Sequence, residues 1–168
     1  MRIALYQPDI PPNTGTILRM TACLGLAVDL IEPAGFDTSD RALRRAGLDY
    51  LPRAVLRRHE SWEVFQARRQ VEAGPPRLVL LTTRADLPYT AFAFRPDDIL
   101  LVGREQAGVP AAVHEVADAR IKVPMRPGLR SLNVAIAAAM AIGEALRQTN
   151  GFPGLEAIPD ESGACGET

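Results

Sequence analysis

The sequence contains few of the residues that build disulfide frameworks or metal sites. Its 168 residues include two cysteines and two histidines. Cys23 and Cys165 belong to no C-x-x-C pair, and His59 and His114 have no metal-ligand spacing around them. We therefore expect no disulfide framework and no bound metal. Cys23 falls on the apolar side of a predicted helix, which favours a buried structural thiol over a nucleophile.

Long apolar runs are also lacking. The longest stretches, such as Val134–Ile142, are too short and too rich in alanine to span a bilayer. The amino-terminal segment reaches acid and proline after a handful of residues, without the apolar run and cleavage site of a signal peptide. Hydrophobic residues still make up 47% of the chain, which is enough for the core of one domain. We expect a cytoplasmic protein with no membrane partner.

Lysine occurs once, at Lys122, so arginine carries nearly all of the cationic charge. The net charge is −1, which alone argues against a nucleic-acid partner. Residues 151–168, however, contain four acids and no Lys or Arg, and without them 19 cations stand against 16 acids, a net charge of +3. Between Arg41 and Arg69 eight arginines accompany three acids. Arginine suits bidentate phosphate contacts, although this pattern alone fits a solvated face equally well.

Short apolar strands alternate with helices along residues 1–150. Strands are predicted at Ile3–Tyr6, Ala27–Ile31, Ala54–Arg58, Leu78–Thr82, Ile99–Val102 and Ala119–Val123. Helices are predicted from a cap at Asn13 to Leu24, at Arg41–Ala46, from a cap at Ser61 to about Glu72, at Pro110–Val116, and from a cap at Ser131 to near Asn150. Most strands are apolar throughout, which is typical of a parallel sheet covered on both faces. The sequence predicts an α/β fold with five or six strands and a disordered acidic tail.

Three polar clusters follow predicted strands, at the carboxyl ends where open α/β sheets bind ligands. The first is N-T-G-T-I-L-R at residues 13–19, which a capped helix with one solvated arginine would explain. The second is L-L-V-G-R-E-Q-A-G-V-P at residues 100–110. It is half of a phosphate-binding loop, but Val109 and Pro110 stand where Lys and Ser/Thr are needed. ATP or GTP hydrolysis is therefore not expected.

The third cluster runs from Ile121 to Ala135, where a strand enters a Pro/Gly loop and then a capped helix. Loop backbone and the amides of the helix start can hydrogen-bond an adenine edge and a ribose. Val123, Met125 and Leu132 would form an apolar slot for the ring. An ordinary strand–loop–helix connection explains this cluster as well.

Taken together and in this order, the clusters resemble the signature motifs of the SPOUT RNA methyltransferases. The matching patterns are N-T-G-x-x-x-R, L-x-G-x-E-x-x-G-x-P, and I-x-[VI]-P-M followed by R-S-L-N-V-A. Leu43–Tyr50 and the lack of a separate RNA-binding domain make the chain similar to a small single-domain branch. That branch 2′-O-methylates the wobble nucleotide of tRNA, cytidine or uridine 34. The resemblance covers roughly residues 1–154 and leaves 155–168 as an acidic tail.

The resemblance implies a parallel-sheet fold with a C-terminal trefoil knot, a homodimer with the active site near its interface, and S-adenosyl-L-methionine as cofactor. It places Arg19 as the catalytic arginine, with Asn13 and Glu105 close to the reacting ribose. The implied cofactor pocket consists of Leu81, Gly103, Val123, Met125 and Ser131, and Asn133 is expected to brace the loop. Arg104 stands where relatives often carry proline. The resemblance also implies a role for the arginines between Arg41 and Arg69. Arg41, Arg44 and Arg45 are expected to bind the anticodon stem-loop of tRNA.

The expected reaction is attack of a ribose 2′-hydroxyl on the sulfonium methyl group. A guanidinium with a pKa above about 12 is a poor proton acceptor. Arg19 is therefore expected to hold an adjacent phosphate and stabilise developing negative charge on the oxygen, rather than to act as a base.

Three alternatives remain open. A sibling enzyme would methylate rRNA or a different tRNA nucleotide. A non-catalytic RNA-binding protein would keep the fold without the chemistry. A nicotinamide- or flavin-binding enzyme is disfavoured because no G-x-G-x-x-G follows the first strand.

Overall fold

A computed structural model describes residues 1–45 and 54–154, with the side chains of Arg44 and Arg45 outside the description. In this part of the chain, six parallel strands form one sheet in the order β3-β2-β1-β5-β4-β6. The strands are β1 (Arg2–Tyr6), β2 (Ala27–Ile31), β3 (Val55–His59), β4 (Leu78–Leu81), β5 (Ile99–Val102) and β6 (Ala119–Ile121). The helices are α1 (Pro11–Leu24), α2 (Asp40–Arg45), α3 (Trp62–Gln70), α4 (Ala111–Glu115) and α5 (Val134–Thr149). The predicted α/β class is confirmed.

Both faces of the central strands are buried, which explains why most strands are apolar throughout; the edge strand β3, with Arg57 and Arg58, is the exception. Along β5, Leu100 and Val102 pack towards α1 and α5, and Ile99 and Leu101 pack towards α3 and α4. All four side chains are buried. The period of two along a strand therefore sends alternate residues into two separate apolar layers.

Helix α1 begins three residues earlier than predicted, because its cap is Ile10 rather than Asn13. Pro11 and Pro12 occupy its first positions, where a missing N–H costs nothing and a fixed φ is already helical. Asn13 is therefore inside the helix, and the expected cap at Asn13 is wrong. Gly25 ends the helix as predicted, in the left-handed region at φ 68°.

The cap of α5 is also corrected. The helix begins at Val134, and Asn133 Oδ1 accepts hydrogen bonds from the amides of Ala135 (2.9 Å) and Ile136 (3.3 Å). Ser131 lies two residues too early to do this. In α3 the prediction is confirmed, since Ser61 Oγ accepts from the amide of Val64.

Cys23 is exposed, so the expectation of a buried thiol is wrong. The buried face of α1 consists of Thr14, Gly15, Ile17, Leu18 and Thr21. Cys23 comes two residues after Thr21, about 200° around the helix. Cys165 and the tail 155–168 lie outside the described residues.

A buried charge cluster connects the first three strands. Asp29 of β2 accepts a hydrogen bond from Arg2 Nε of β1 at 2.7 Å and from His59 Nε2 of β3 at 2.8 Å. Arg2 also donates to Glu72, after α3, at 3.1 Å. The side chains of Asp29 and His59 are only 2% and 4% exposed. We call Arg2, Asp29, His59 and Glu72 the buried charge cluster.

The connection between β4 and β5, residues 82–98, meets the C-terminal part of the chain twice. Directly after β6, Lys122 donates its amide to Leu87 and accepts from the amide of Tyr89, both at 2.9 Å. Later, the Gln148 side chain of α5 accepts from the amide of Phe94 at 3.0 Å. The first pair of hydrogen bonds holds the residue after β6 against the β4–β5 connection, and the last one holds the end of α5 against the same connection.

Candidate active site

A cavity of about 650 Å³ lies at the carboxyl ends of β4 and β5. Its volume falls in the range typical of small-molecule sites. The loops that follow β4, β5 and β6 form most of its wall, and the start of α5 closes one side. The five predicted cofactor-pocket residues all line it: Leu81, Gly103, Val123, Met125 and Ser131. They are brought together from three loops because parallel strands deliver their loops to one edge of the sheet.

Gly103 is a glycine for a structural reason. The turn 103–108 is closed by two backbone hydrogen bonds between Arg104 and Gly108, of 3.0 and 2.9 Å. A Cβ at Gly103 would lie 2.6 Å from the carbonyl carbon of Gly108. No side chain fits there unless the turn opens. The turn can therefore keep its closed conformation beside the cavity only with glycine at position 103.

A line of amide and carboxylate groups runs along the edge of the cavity. Asn133 Nδ2 donates to Asn13 Oδ1 at 2.9 Å, and Asn13 Nδ2 donates to Glu105 Oε1 at 3.1 Å. The helix cap determines which group donates at each hydrogen bond of this line, because Asn133 Oδ1 already accepts from the amides of α5. Asn133 must then donate, Asn13 must accept from it, and Glu105 must accept from Asn13.

The same carboxylate also holds the loop after β1. Glu105 Oε2 accepts from the amide of Asp9 at 2.8 Å. Arg104 donates to the carboxylate of Asp9 through Nε at 3.1 Å and through Nη2 at 2.6 Å. These hydrogen bonds raise the pKa of Arg104 above its ordinary value. We call Asp9, Asn13, Arg104, Glu105 and Asn133 the cavity-edge network.

Tyr6 ends β1 just before this network and is buried. Burial raises the pKa of its hydroxyl, and the charge of Glu63 acts in the same direction, while Arg104 acts in the opposite one. The phenol therefore stays neutral at neutral pH.

Arg19 is not brought to the cavity. It is exposed on α1, six residues after Asn13 and about 9 Å further along the helix. Of the described residues, it is not one of those that line the cavity. Arg41 is exposed on α2 and does not line the cavity either, and the side chains of Arg44 and Arg45 lie outside the described residues. Asn13 and Glu105, in contrast, both line it.

Other cavity-lining residues were not singled out from the sequence. Thr82, Thr83 and Arg84 directly follow β4, so the rule that polar residues after strands form sites would have found them. His114 and Arg130 also line the cavity; Arg130 begins the R-S-L-N-V-A motif but was given no role, and no sequence signal distinguished His114. Arg84 and Arg130 are exposed and bring positive charge to its mouth.

The described residues contain neither a metal-ligand group nor a membrane-spanning helix. Across residues 1–45 and 54–154, no group of three or more His, Cys, Asp or Glu side chains is arranged to hold a metal ion. None of the helices in these ranges has the length and apolar character needed to cross a membrane.

Comparison with known proteins was made at the levels of family, sequence and structure. The SpoU rRNA methylase family matches residues 1–143. A tRNA (cytidine(34)-2′-O)-methyltransferase from Beijerinckia indica is 60% identical over 160 residues, which are 95% of this chain and 99% of the relative. The matches confirm the family resemblance drawn from the three motifs.

Two solved structures are informative about the site. One, from work on the 2-OH methylation of C/U34 on tRNA, has a TM-score of 0.80 and 39% identity, and covers 88% of this chain and 94% of its own. The other is an AdoMet-bound rRNA methyltransferase from Sinorhizobium meliloti with a TM-score of 0.77 and 26% identity. It aligns over 87% of this chain and 55% of its own.

Proposed function

The chain belongs to the SpoU rRNA methylase family, and we propose that it transfers a methyl group from S-adenosylmethionine to the ribose 2′-hydroxyl of nucleotide 34, cytidine or uridine, in tRNA. One observation carries the proposal. The five residues assigned to the cofactor and two of those assigned to the ribose, Asn13 and Glu105, line one cavity at the carboxyl edge of the sheet. The 60%-identical relative and the structural neighbour concerned with C/U34 support this choice of substrate.

The cavity fits S-adenosylmethionine in size and chemistry. Val123 and Met125 supply apolar surface for an adenine ring, and the closed turn 103–108, which needs glycine at position 103, forms part of the same wall. When bound, the cofactor supplies an electrophilic methyl group on sulfur, with a neutral thioether as the leaving group. Ser131, exposed at the cavity wall, is available to hydrogen-bond it.

The cavity-edge network orients the attacking hydroxyl. Asn13 is held from both sides, by Glu105 and by Asn133, so its amide keeps one orientation at the edge of the cavity. A rigid polar edge positions the 2′-hydroxyl in line with the methyl group, and positioning supplies much of the acceleration in a bimolecular transfer. Arg19 holds a neighbouring phosphate and stabilises negative charge developing on the oxygen.

The acting form is a homodimer. On α5, Ile136 and Met140 are 53% and 39% exposed and lie four residues apart on one face. Helix α1, which packs against α5, exposes Arg19 and Cys23 on its outer side. A second copy covering α1 and α5 would bury the apolar pair and would bring Arg19 to the interface.

The dimer has a direct test. Sedimentation of the wild-type chain should give twice the monomer mass, and Ile136→Glu should give a monomer with little methyl transfer. Val71→Glu is the matched control, because Val71 is 84% exposed and far from α5 in sequence. A monomeric wild type, or an Ile136→Glu variant that stays dimeric, would contradict the proposed interface.

The C-terminal segment forms a trefoil knot by passing through the β4–β5 connection. Two sets of contacts support this. Lys122 pairs with Leu87 and Tyr89 near the start of that connection, and Gln148 bonds Phe94 near its end. When the chain is pulled between residues 1 and 154, a knotted chain should extend to less than its full contour length. Full extension would show that the chain is not knotted.

Transfer RNA binds the basic side of the carboxyl edge through Arg41, Arg44 and Arg45. Helix α2 follows β2 and so leaves the same edge of the sheet as the cavity loops, where Arg84 and Arg130 add positive charge. Arg44→Ala/Arg45→Ala should weaken tRNA binding and reduce the slope of log K against log salt by about 1–2. Arg68→Ala, an exposed arginine of α3, is the control and should leave the slope unchanged. An unchanged slope in the double variant would indicate that these arginines form a solvated face and do not contact tRNA phosphates.

Residues 1–154 form the methyltransferase domain, residues 155–168 form an acidic tail outside it, and the enzyme acts in the cytoplasm.

The test of the proposed reaction is incubation with labelled S-adenosylmethionine and bulk tRNA, followed by mass spectrometry of nuclease fragments. Label on the ribose of nucleotide 34 is the expected result. Label at another tRNA nucleotide or only in rRNA would favour the sibling enzyme. Cofactor binding without transfer to any RNA would favour the non-catalytic protein.

A further inference from the structure

Two neighbouring residues of the turn 103–108 grip the same residue of the loop after β1. Arg104 holds the Asp9 carboxylate through Nε (3.1 Å to Oδ1, 3.3 Å to Oδ2) and Nη2 (2.6 Å to Oδ1). Glu105 accepts from the Asp9 amide at 2.8 Å. Strands β1 and β5 are adjacent, so the two loops leave the sheet side by side. Asp9 is therefore held at both its side chain and its backbone.

This double contact limits how Glu105 can move. One oxygen of its carboxylate accepts from Asp9 and the other from Asn13, so the carboxylate is held at two points. The Asp9 amide belongs to a loop, and a loop keeps its place only if something other than Glu105 holds it. Backbone hydrogen bonds from Gln7 to Ile31 and from Gly35 to Pro8 hold the residues before Asp9. The guanidinium of Arg104 holds Asp9 itself, because two donors on one carboxylate restrict both distance and angle.

We propose that Arg104 is a positioning residue for the methyl transfer. It fixes Asp9, Asp9 fixes the carboxylate of Glu105, and Glu105 fixes the amide of Asn13 at the edge of the cavity. Arg104 acts through these residues and need not touch the substrate. The inference rests on the proposed function, since it assigns a step in the same reaction.

A rival role for Arg104 makes different predictions. Its side chain is 41% exposed, so it could leave Asp9 and bind an RNA phosphate. In that case the Asp9 carboxylate would compete with RNA, and removing it would strengthen tRNA binding. If Arg104 is a positioning residue, removing Asp9 should have the same effect as removing Arg104.

The experiment compares four forms of the full chain: wild type, Arg104→Ala, Asp9→Ala and the double variant. We measure kcat, the KM for tRNA and the Kd for S-adenosylmethionine. Each single variant should lower kcat about tenfold, because small errors of position at a reacting centre are costly. The double variant should be no slower than either single, since both remove one interaction. The KM and the Kd should stay within about twofold of wild type.

Two further variants separate positioning from charge and from general loss of an ion pair. Arg104→Lys keeps the charge but not the fork, so it should recover only part of the lost kcat. Arg58→Ala removes another exposed arginine–carboxylate pair, from Arg58 to Asp40, between residues that do not line the cavity and do not belong to α5. Its kcat should equal that of wild type. Full activity of Arg104→Lys, or a lower KM for tRNA in Asp9→Ala, would overturn the proposal in favour of phosphate binding.

Hydrogen exchange tests the contact without any turnover. The amides of residues 9 and 104–108 should exchange faster in Arg104→Ala than in wild type, and those of β5 should be unchanged. If the loop and turn exchange at the same rate in Arg104→Ala and wild type, the positioning role of Arg104 is wrong. This conclusion does not depend on whether the wild type methylates any RNA. An inactive wild type, with the expected exchange, would instead count against the proposed function alone.

Discussion

The cavity-edge network and the buried charge cluster are built from the same kinds of groups. Each joins an arginine, a carboxylate and further polar side chains that are far apart in sequence. They differ in exposure. Asp29 and His59 are almost fully buried under α3, whereas Arg104 is 41% exposed and Asn133 lies on the surface.

This difference separates stability from function. When one partner of a buried ion pair is removed, the remaining charged group is buried with neither a partner nor water, and this destabilises the folded state. An exposed network contributes little to stability, because water replaces its hydrogen bonds. What it can supply is a fixed direction for each donor and acceptor, and that is useful only where a substrate is oriented. We therefore expect variants of the two clusters to fail in different measurements.

The largest effect is expected for Asp29→Ala in the buried charge cluster. It leaves His59 without this acceptor and Arg2 with only the Glu72 carboxylate, and it should lower the free energy of unfolding by about 3–5 kcal/mol in urea titrations. Asp40→Ala is the control, because the Asp40–Arg58 pair is exposed and should contribute less than about 1 kcal/mol. Equal losses in the two variants would remove the distinction drawn from burial. The folded fraction of Asp29→Ala should keep its kcat.

Arg19→Ala should reveal a purely functional defect. We expect kcat to fall about 100-fold, since a group that stabilises transition-state charge is lost. The Kd for S-adenosylmethionine and the urea midpoint should not change, because Arg19 is exposed and outside the cavity. A parallel loss of cofactor binding would contradict the role assigned to Arg19.

Gly103→Ala tests the turn that supports the cavity-edge network. The new Cβ would meet Gly108, and such overpacking typically costs about 1–3 kcal/mol, so cofactor affinity should fall about tenfold. Isothermal titration measures this directly. Gly143→Ala on α5 is the matched control, as no atom lies within 4 Å of its new Cβ. It should raise stability by about 0.5–1 kcal/mol, because alanine favours helix. Wild-type affinity in Gly103→Ala would show that the turn can open without harm.

The smallest effect concerns pH and an exposed pair on α5. Hydrogen bonds from Arg147 and then Gln148 lower the pKa of Glu144 from 4.5 to about 2. Because the folded-state pKa is the lower one, this stabilisation is present above pH 4.5 and is lost as the pH falls towards about 2. Glu144→Gln should therefore lose less stability than wild type between about pH 5 and about pH 3 in urea titrations. Arg147→Ala should behave in the same way. Identical pH profiles of all three forms would show that the pair contributes nothing.

Much of the fold follows from patterns along the chain. The mostly apolar strands predict a parallel sheet covered on both faces, and the stop at Gly25 and the cap at Ser61 are local signals that the structure confirms. The errors arise where a local pattern had two solutions. Asn13 has the chemistry of a cap, but the two prolines before it start the helix earlier. Ser131 and Asn133 are both good caps, and the position of the loop selects Asn133.

The candidate site shows the same division. Residues after strands could be expected at one edge of the sheet, and the family resemblance assigned seven residues that all line one cavity. Arg19 shows where this reasoning stops, because its position on α1 directs it away from the cavity.

Composition and periodicity are properties of neighbours in sequence, and they predicted the α/β class. The motifs predicted the family and the residues of the cavity only through their resemblance to known proteins. The partners of the polar groups could not be obtained in this way. Glu105 meets Asn13 across 92 residues, and Asn133 meets Asn13 across 120. A side-chain amide can donate or accept equally well, so its role is settled only when folding brings a particular partner within about 3 Å.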